Sequence, residues 1–191
     1  SSPLLSTVTV QIPEASVVIP TFNDELSIGT IVILSKMYAA HVIVADAGSN
    51  DRTVEVATKA GADVLSLAQP CTRVQAILAG CRRAIGFGSQ AIVLLDSKGE
   101  HLTRQIPHLA QSVLDGADLV IGSRSIGGRK GIPPFDPASP KYTPELTGFM
   151  NTDPQSSFRA ISVRGVQLLD LLPFTEDFEP MMVTLFQQKG M

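Results

Sequence analysis

The sequence predicts an α/β domain with a mostly parallel sheet flanked by helices. Short apolar segments rich in β-branched residues alternate with segments whose apolar residues recur at helical spacing. The short segments lack the polar alternation of half-exposed strands, which indicates strands buried on both faces. Alternation at this pace is typical of βαβ units, whose strands run parallel.

The elements follow one another in a regular order. The predicted strands are residues 17–19, 41–45, 62–67, 91–95 and 118–122. The predicted helices are residues 26–37, 53–60, 74–85 and 106–114. Before the second helix, the polar residues 49–51 offer N-cap oxygens. Right-handed crossovers bring the carboxyl ends of the strands to one edge of the sheet, where α/β proteins bind ligands.

The pattern changes after Arg124. Residues 125–144 are rich in Gly, Pro and Ser, and a loop of this length inside a domain is usually functional. We therefore interpret it as a lid or binding loop. Three further elements complete the chain, which we treat as one domain of residues 1–191: a strand at 157–162, a short helix at 163–172 and a last helix at 178–189.

Composition excludes several classes of protein. The chain is 44% hydrophobic and 17% charged with a net charge of −3, which fits a globular domain and argues against nucleic acid as a partner. Cys71 and Cys81 are spaced too far apart for a CxxC motif, so we expect reduced thiols in a cytoplasmic protein. We find neither a signal peptide nor an apolar stretch that could span a bilayer. The chain ends abruptly just after an amphipathic run, so a further C-terminal part that contains membrane segments stays open, and so does peripheral association with the cytoplasmic face of a membrane.

Polar and acidic residues gather where the predicted strands end. Residues 20–25, 46–51, 96–101 and 122–124 each follow a strand directly. Because these strand ends share one edge, the sequence predicts a binding site there, although a solvated loop edge would also be polar.

Several segments, in the correct order, resemble motifs of family 2 glycosyltransferases. Residues 17–24 and 42–53 are similar to the first two family motifs, and Gly122-Ser123-Arg124 matches a third. Residues 73–80 resemble the Arg- and Gln-bearing helix start of some members. Residues 153–160 are similar to a segment of the dolichol-phosphate-mannose-synthase-like members. The resemblance covers residues 15–190. It implies a GT-A fold, a Rossmann-like fold with a nucleotide-binding half at about 15–124 and an acceptor half at about 125–191.

The resemblance also implies a nucleotide-sugar donor and assigns residues to it. Asp46 would accept a hydrogen bond from a base N–H, although an aspartate here also caps turns. Gly48 would let the backbone turn closely under the ligand. Arg73 would bind the diphosphate, unless it is a solvated surface arginine. The loop beneath base and ribose would consist of Pro20, Thr21, Asn23 and Asp24.

The metal motif departs from the family pattern. An Asp-x-Asp motif normally follows the fourth strand and holds Mg²⁺ or Mn²⁺, but here Lys98 replaces the second aspartate after Asp96. Three interpretations stay open. Asp96 and Glu100 bind the metal while Lys98 turns away, Lys98 replaces part of the metal's charge at the phosphates, or the site is degenerate. Ala47, where the family commonly has a second aspartate, is a smaller departure.

The acceptor half supplies the remaining candidates. Thr175-Glu176-Asp177 resembles the Glu-Asp motif at a family helix start, so Asp177 is the expected catalytic base, with Glu179 as its substitute. Acids at a helix start also complement the helix dipole. If the acceptor is a lipid phosphate, it needs no strong base, and Arg124 and Arg159 would bind it.

The sequence therefore predicts an enzyme that moves a hexose from a UDP- or GDP-sugar to a lipid phosphate or small acceptor, with inversion. The main alternative is a catalytically degenerate sugar-nucleotide-binding domain of the same fold. A nucleotidyltransferase is disfavoured, because residues 21–25 contain neither glycine nor a basic residue. A purely structural domain would not need polar motifs at four strand ends. The oligomeric state stays open.

Overall fold

The computed structural model describes residues 11–122 and 158–169, together with Gly190. Its strands are β1 Ile12–Thr21, β2 Ala39–Asp46, β3 Asp63–Ser66, β4 Ala91–Leu94, β5 Leu119–Ile121 and β6 Arg159–Ser162. Its helices are α1 Ile28–Lys36, α2 Thr53–Ala60, α3 Arg73–Gly86, α4 Ile106–Leu114 and α5 Val163–Leu169, with a 3₁₀ helix at Glu100–Gln105. The predicted loop at 125–144 and the predicted helix at 178–189 lie outside the described residues.

The six strands form one sheet in the order β3-β2-β1-β4-β6-β5. Strand β1 pairs in parallel with β2 and β4, and β2 pairs in parallel with β3. Strand β6 is antiparallel to both β4 and β5, so it alone among these six runs against the others. The predicted α/β class with a mostly parallel sheet is confirmed. The chain leaves β1 toward β2 and returns on its other side at β4, which makes the gap between β1 and β4 a topological switch point.

Strand β1 is buried on both faces. Val17 and Ile19 pack into a core with α1, α2 and α4, whereas Val18 packs into a second core with α3 and α5. All three side chains have no exposed surface. A strand sandwiched in this way needs apolar residues at consecutive positions, which is why the sequence shows a run instead of alternation.

Helix α3 lies unusually close to β1 at Gly80. A Cβ atom on Gly80 would be 2.3 Å from Cγ1 of Val18, well inside van der Waals contact. Glycine at this position therefore sets the distance between the helix and the sheet. The same helix begins at Arg73.

The edge of the sheet at β5 and β6 is tied together by Asp118. Its carboxylate accepts a hydrogen bond from Oγ of Ser162 at 2.7 Å and forms an ion pair with Arg164 at the start of α5. Burial raises the pKa of Asp118, but the hydrogen bonds from Arg164 and Ser162 outweigh it and leave the pKa below its usual value. These bonds hold the end of the short antiparallel strand β6 beside the start of β5.

The largest difference between the observed and the predicted bounds is at β1, whereas α1, β2 and β6 each start two residues away from the predicted position. Strand β1 starts at Ile12, five residues earlier than predicted, because Ile12 pairs with Ala39 of β2 across an irregularity before Ser16. Strand β6 starts at Arg159 instead of 157. The short 3₁₀ helix at Glu100–Gln105 was not predicted.

Candidate functional site

A cleft of about 500 Å³ lies at the topological switch point, over the carboxyl ends of β1 and β4. Three segments form most of its wall: the loop after β1, the turn after β4 and the start of α3. The cleft is lined by Pro20, Thr21, Phe22, Asp24, Ala47, Gln69, Cys71, Arg73, Ala76, Asp96, Ser97 and Lys98. The polar edge predicted from the sequence is therefore a concave site, with two acidic and two basic side chains in its wall.

Asp24 joins the loop after β1 to the turn after β4. Its Oδ2 accepts hydrogen bonds from Oγ1 of Thr21 at 2.8 Å, from Oγ of Ser97 at 2.7 Å and from the backbone N–H of Phe22 at 3.3 Å. Thr21 and Ser97 are each only 4% exposed. Asp24 therefore satisfies two buried hydroxyl groups and fixes the floor of the cleft.

Two segments, residues 21–25 at the end of β1 and residues 49–53 at the start of α2, are joined by hydrogen bonds in both directions. Backbone N–H groups of the first segment donate to side chains of the second: Asn23 to Ser49, Asp24 to Thr53 and Glu25 to Asp51. Backbone N–H groups of the second donate to side chains of the first: Asn50 to Asn23 and Arg52 to Glu25. Asn23 has a φ of 52°, a left-handed conformation that asparagine tolerates better than most residues.

Asp46 caps the turn after β2. Its side chain accepts hydrogen bonds from the backbone N–H groups of Gly48 at 3.1 Å and Ser49 at 3.0 Å, and from Oγ of Ser49 at 2.5 Å. Asp46 is 2% exposed and does not line the cleft. Gly48 has a φ of 92°, and a Cβ there would meet the side chain of Gln69 at 2.1 Å. The turn-capping interpretation of Asp46 thus describes the geometry, and base recognition by Asp46 stays a prediction.

Arg73 lines the cleft from the first residue of α3. The helix begins with a capping box in which Oγ1 of Thr72 accepts from the backbone N–H of Gln75, and Oε1 of Gln75 accepts from that of Thr72. The N-terminus of the helix carries a partial positive charge, which adds to the positive potential of the guanidinium group. This side of the cleft is therefore suited to an anion.

The turn after β4 presents Asp96 and Lys98 to the cleft. The backbone N–H of Lys98 donates to Oδ1 of Asp96 at 2.9 Å, and that of Gly99 donates to the carbonyl oxygen of Asp96 at 2.9 Å. Lys98 is exposed and forms no ion pair with any described residue. Glu100 starts the 3₁₀ helix, is exposed and does not line the cleft.

The structure brings six of the fourteen predicted site residues together in the cleft wall. The cleft wall contains Pro20, Thr21, Asp24, Arg73, Asp96 and Lys98, whereas Asn23, Asp46 and Gly48 support the adjoining turns. Arg159, predicted to bind phosphate, starts β6 beside Leu94 and is 1% exposed. Arg124, Asp177 and Glu179 lie outside the described residues.

Sequence reasoning did not assign a role to four further residues of the cleft wall: Phe22, Gln69, Cys71 and Ser97. Phe22 and Ser97 stand inside segments already identified, so strand-end position would have found them. Gln69 and Cys71 lie between β3 and α3, where no periodic pattern or motif marks them. Only the crossover from β3 to α3 brings that segment to the cleft.

In the part of the chain that the structure describes, no helix is long and apolar enough to cross a membrane.

Comparison with known proteins identifies a family: the family model described as "Glycosyl transferase family 2" matches residues 16–156. This match includes residues 21–25 and 49–53, the start of α3 and the turn after β4.

Two curated relatives and one solved structure extend the match. Polyprenol monophosphomannose synthase of Mycolicibacterium smegmatis is 34% identical over 59% of this chain, which spans 45% of that protein. Undecaprenyl-phosphate mannosyltransferase of Micrococcus luteus is 30% identical over 81% of this chain and 68% of that protein. Glucosyl-3-phosphoglycerate synthase of Mycobacterium tuberculosis, solved with Mn²⁺ and UDP-glucose, superposes with a TM-score of 0.65 at 26% identity, covering 93% of this chain and 66% of that one.

Proposed function

The chain belongs to glycosyl transferase family 2, and we propose that it transfers a hexose from a UDP- or GDP-sugar to a lipid phosphate or a small acceptor. The observation that carries the proposal is the cleft at the switch point between β1 and β4. It combines an anion-binding side at Arg73 and Lys98 with a polar floor at Asp24. A nucleoside diphosphate needs both, because its phosphates are anionic and its ribose carries hydroxyl groups.

The structural neighbour supports a donor of this kind, since it was solved with UDP-glucose. It also contains Mn²⁺, so the negative charge of the diphosphate needs a counterpart in this chain as well. Either a divalent cation held by Asp96 and Glu100 or the ammonium group of Lys98 would provide it. The choice of base, uracil or guanine, belongs to the same proposal.

The relatives support the acceptor. One relative is named an undecaprenyl-phosphate mannosyltransferase, and the other a polyprenol monophosphomannose synthase, so both names join mannose to a polyprenyl lipid. Such a lipid resides in a membrane, so we propose that this chain works at the cytoplasmic face of one. The phosphate oxygen of the acceptor would bond to the anomeric carbon of the sugar while the bond from that carbon to the diphosphate breaks. Attack from the opposite side inverts the configuration.

The residues expected to act on the acceptor remain part of the proposal. An acceptor hydroxyl would lose its proton to Asp177, or to Glu179 in its place. An acceptor phosphate is already an anion and would bind Arg124 and Arg159 instead. Replacing Asp177 by asparagine therefore separates the two: it would abolish transfer to a hydroxyl and spare transfer to a phosphate.

The test is a transfer assay with UDP- and GDP-hexoses and short-chain polyprenyl phosphate. We expect release of the nucleoside diphosphate and formation of an acid-labile glycolipid, with the anomeric configuration read by NMR. Calorimetry with UDP and GDP, in EDTA and in Mn²⁺, runs in parallel. Binding without transfer to any acceptor would favour the degenerate domain. Absence of binding to either nucleotide would contradict the proposed function.

A second prediction concerns Cys71, which reports whether the cleft holds the nucleotide. Burial raises the pKa of its thiol, and the negative charge of Asp46 raises it further. We therefore expect slow alkylation at pH 7 that accelerates only above the usual pKa of a cysteine thiol, because the thiolate is the nucleophile. A bound nucleoside diphosphate should slow labelling of Cys71, as measured by mass spectrometry. Labelling of Cys71 that a saturating nucleotide leaves unchanged would place the ligand elsewhere. Cys81, which has no exposed surface, is the internal control.

A further inference from the structure

The turn after β4 does not fit a divalent cation held by two carboxylates. The family resemblance implies such a pair, but Lys98 occupies the second position and lines the same cleft as Asp96. Among the described residues, no group of three or more His, Cys, Asp or Glu side chains could hold a metal ion. Glu100, the other expected ligand, is exposed and does not line the cleft.

Each acidic residue of the cleft wall accepts hydrogen bonds through one of its two carboxylate oxygens. Asp24 accepts three hydrogen bonds from Thr21, Ser97 and the backbone of Phe22 through one oxygen. Asp96 accepts the backbone N–H of Lys98 through Oδ1. Its Oδ2 has no partner among the described residues, so Asp96 is left with one free oxygen. An ammonium group two residues away would repel a divalent cation bound to that oxygen.

The same turn holds Lys98 at the cleft. Because the backbone N–H groups of Lys98 and Gly99 both donate to Asp96, the backbone of residues 96–99 closes into a tight turn. The side chain of Lys98 is exposed and has no acidic partner among the described residues. A lysine without an internal ion pair is available to bind an anionic ligand.

Arg73 supplies a second positive charge to this cleft. It is the first residue of a 14-residue helix. The partial positive charge at the N-terminus of that helix adds to the positive potential of the guanidinium group. Lys98 comes from the turn after β4, so the two cations reach the cleft from different elements. A diphosphate bound in the cleft would therefore lie beside two positively charged side chains from different elements.

We propose that Lys98, with Arg73, replaces the divalent cation in binding the diphosphate, so that this chain binds a nucleoside diphosphate without a metal ion. The inference rests on the proposed function, because it concerns the same donor site. Such a site differs from one in which carboxylates bind a metal ion and the metal ion binds the phosphates. Here the protein would contact the phosphate oxygens directly.

The experiment is calorimetric titration with UDP and GDP, each in EDTA and in Mn²⁺. For the wild type we expect the affinity for the preferred nucleotide to be the same in both conditions. Lys98→Gln should weaken binding in EDTA by roughly tenfold, the effect of one charge-assisted hydrogen bond. It should leave the binding of the corresponding nucleoside unchanged, because a nucleoside has no phosphate. Lys98→Asp should lose binding in EDTA and regain it in Mn²⁺.

Lys59→Gln is the matched control, since it removes an exposed lysine on α2 that lies outside the cleft. It should bind as the wild type does. Electron paramagnetic resonance of Mn²⁺ gives an independent measurement: bound Mn²⁺ should appear with Lys98→Asp and UDP but not with the wild type and UDP.

The outcomes separate the inference from the proposed function. Wild-type binding that requires Mn²⁺ would overturn the inference and leave the function standing. Equal affinities of Lys98→Gln and Lys59→Gln in EDTA would overturn it too. If a Lys98 variant does not fold, the wild-type comparison of EDTA with Mn²⁺ still decides. Absence of binding of either nucleotide in every condition would overturn the proposed function, and this inference with it.

Discussion

Asp24→Ala should lower the free energy of unfolding by about 2–3 kcal/mol, because it leaves two buried hydroxyl groups without their acceptor. Thr21 and Ser97, each 4% exposed, donate to the same Oδ2 atom of Asp24. Neither hydroxyl is exposed enough for water to replace the carboxylate fully. The measurement is urea unfolding followed by circular dichroism.

The same substitution should weaken nucleotide binding, since Asp24 fixes the floor of the cleft. We expect a loss of more than about tenfold in UDP or GDP affinity, in line with the hydrogen bonds removed. Asp115→Ala is the matched control, because Asp115 is exposed and accepts a single side-chain hydrogen bond, from Gln111. If both variants unfold at the same urea concentration, Asp24 does not have the structural role described here.

Gly80→Ala should lower the free energy of unfolding by about 1–3 kcal/mol through overpacking against Val18. The added methyl group would be 2.3 Å from Cγ1 of a side chain that is fully buried and cannot rotate freely. Alanine favours a helix by about 1 kcal/mol over glycine, so the steric effect must exceed that gain. Because α3 would move away from β1, Arg73 would shift and nucleotide binding would weaken as well.

Gly86→Ala is the control, because it makes the same substitution in the same helix without a contact like that between residue 80 and Val18. Gly86 is the last residue of α3, and a Cβ there would meet no atom within 4 Å. Gly86→Ala should therefore be neutral or slightly stabilising in the same urea experiment. A stabilised Gly80→Ala variant would show that α3 can move away from β1 without cost.

Much of the fold could be predicted because its strands are buried on both faces. The apolar run at 91–95 stands between the polar residues Gln90 and Asp96, and β4 was predicted to within one residue. Residues 12–16 of β1 gave no such signal, because Pro13 and Glu14 are exposed and this segment is a strand through its pairing with β2 and β4. The local hydrophobic pattern of the sequence indicates which strand residues are buried, but it does not indicate strand pairing at an exposed end.

The candidate site was predictable where one segment supplies both the backbone and the side chain. The loop after β1 and the turn after β4 belong to this class, so Asp24, Asp96 and Lys98 were all identified. Asp46 shows the limit of sequence-based prediction, because the sequence allowed both turn capping and base recognition. The turn-capping geometry became visible only through the three hydrogen bonds that Asp46 accepts. Gln69 could not be found, since the crossover alone brings it over Gly48.

The reciprocal hydrogen bonds between residues 21–25 and 49–53 have a consequence for protein engineering. Each segment supplies the side chains that satisfy the backbone of the other. A segment transplanted alone from a relative with another nucleotide preference would arrive without its matching partner. Recombination between relatives should therefore succeed when the crossover points lie outside both segments, and fail when one point falls between them.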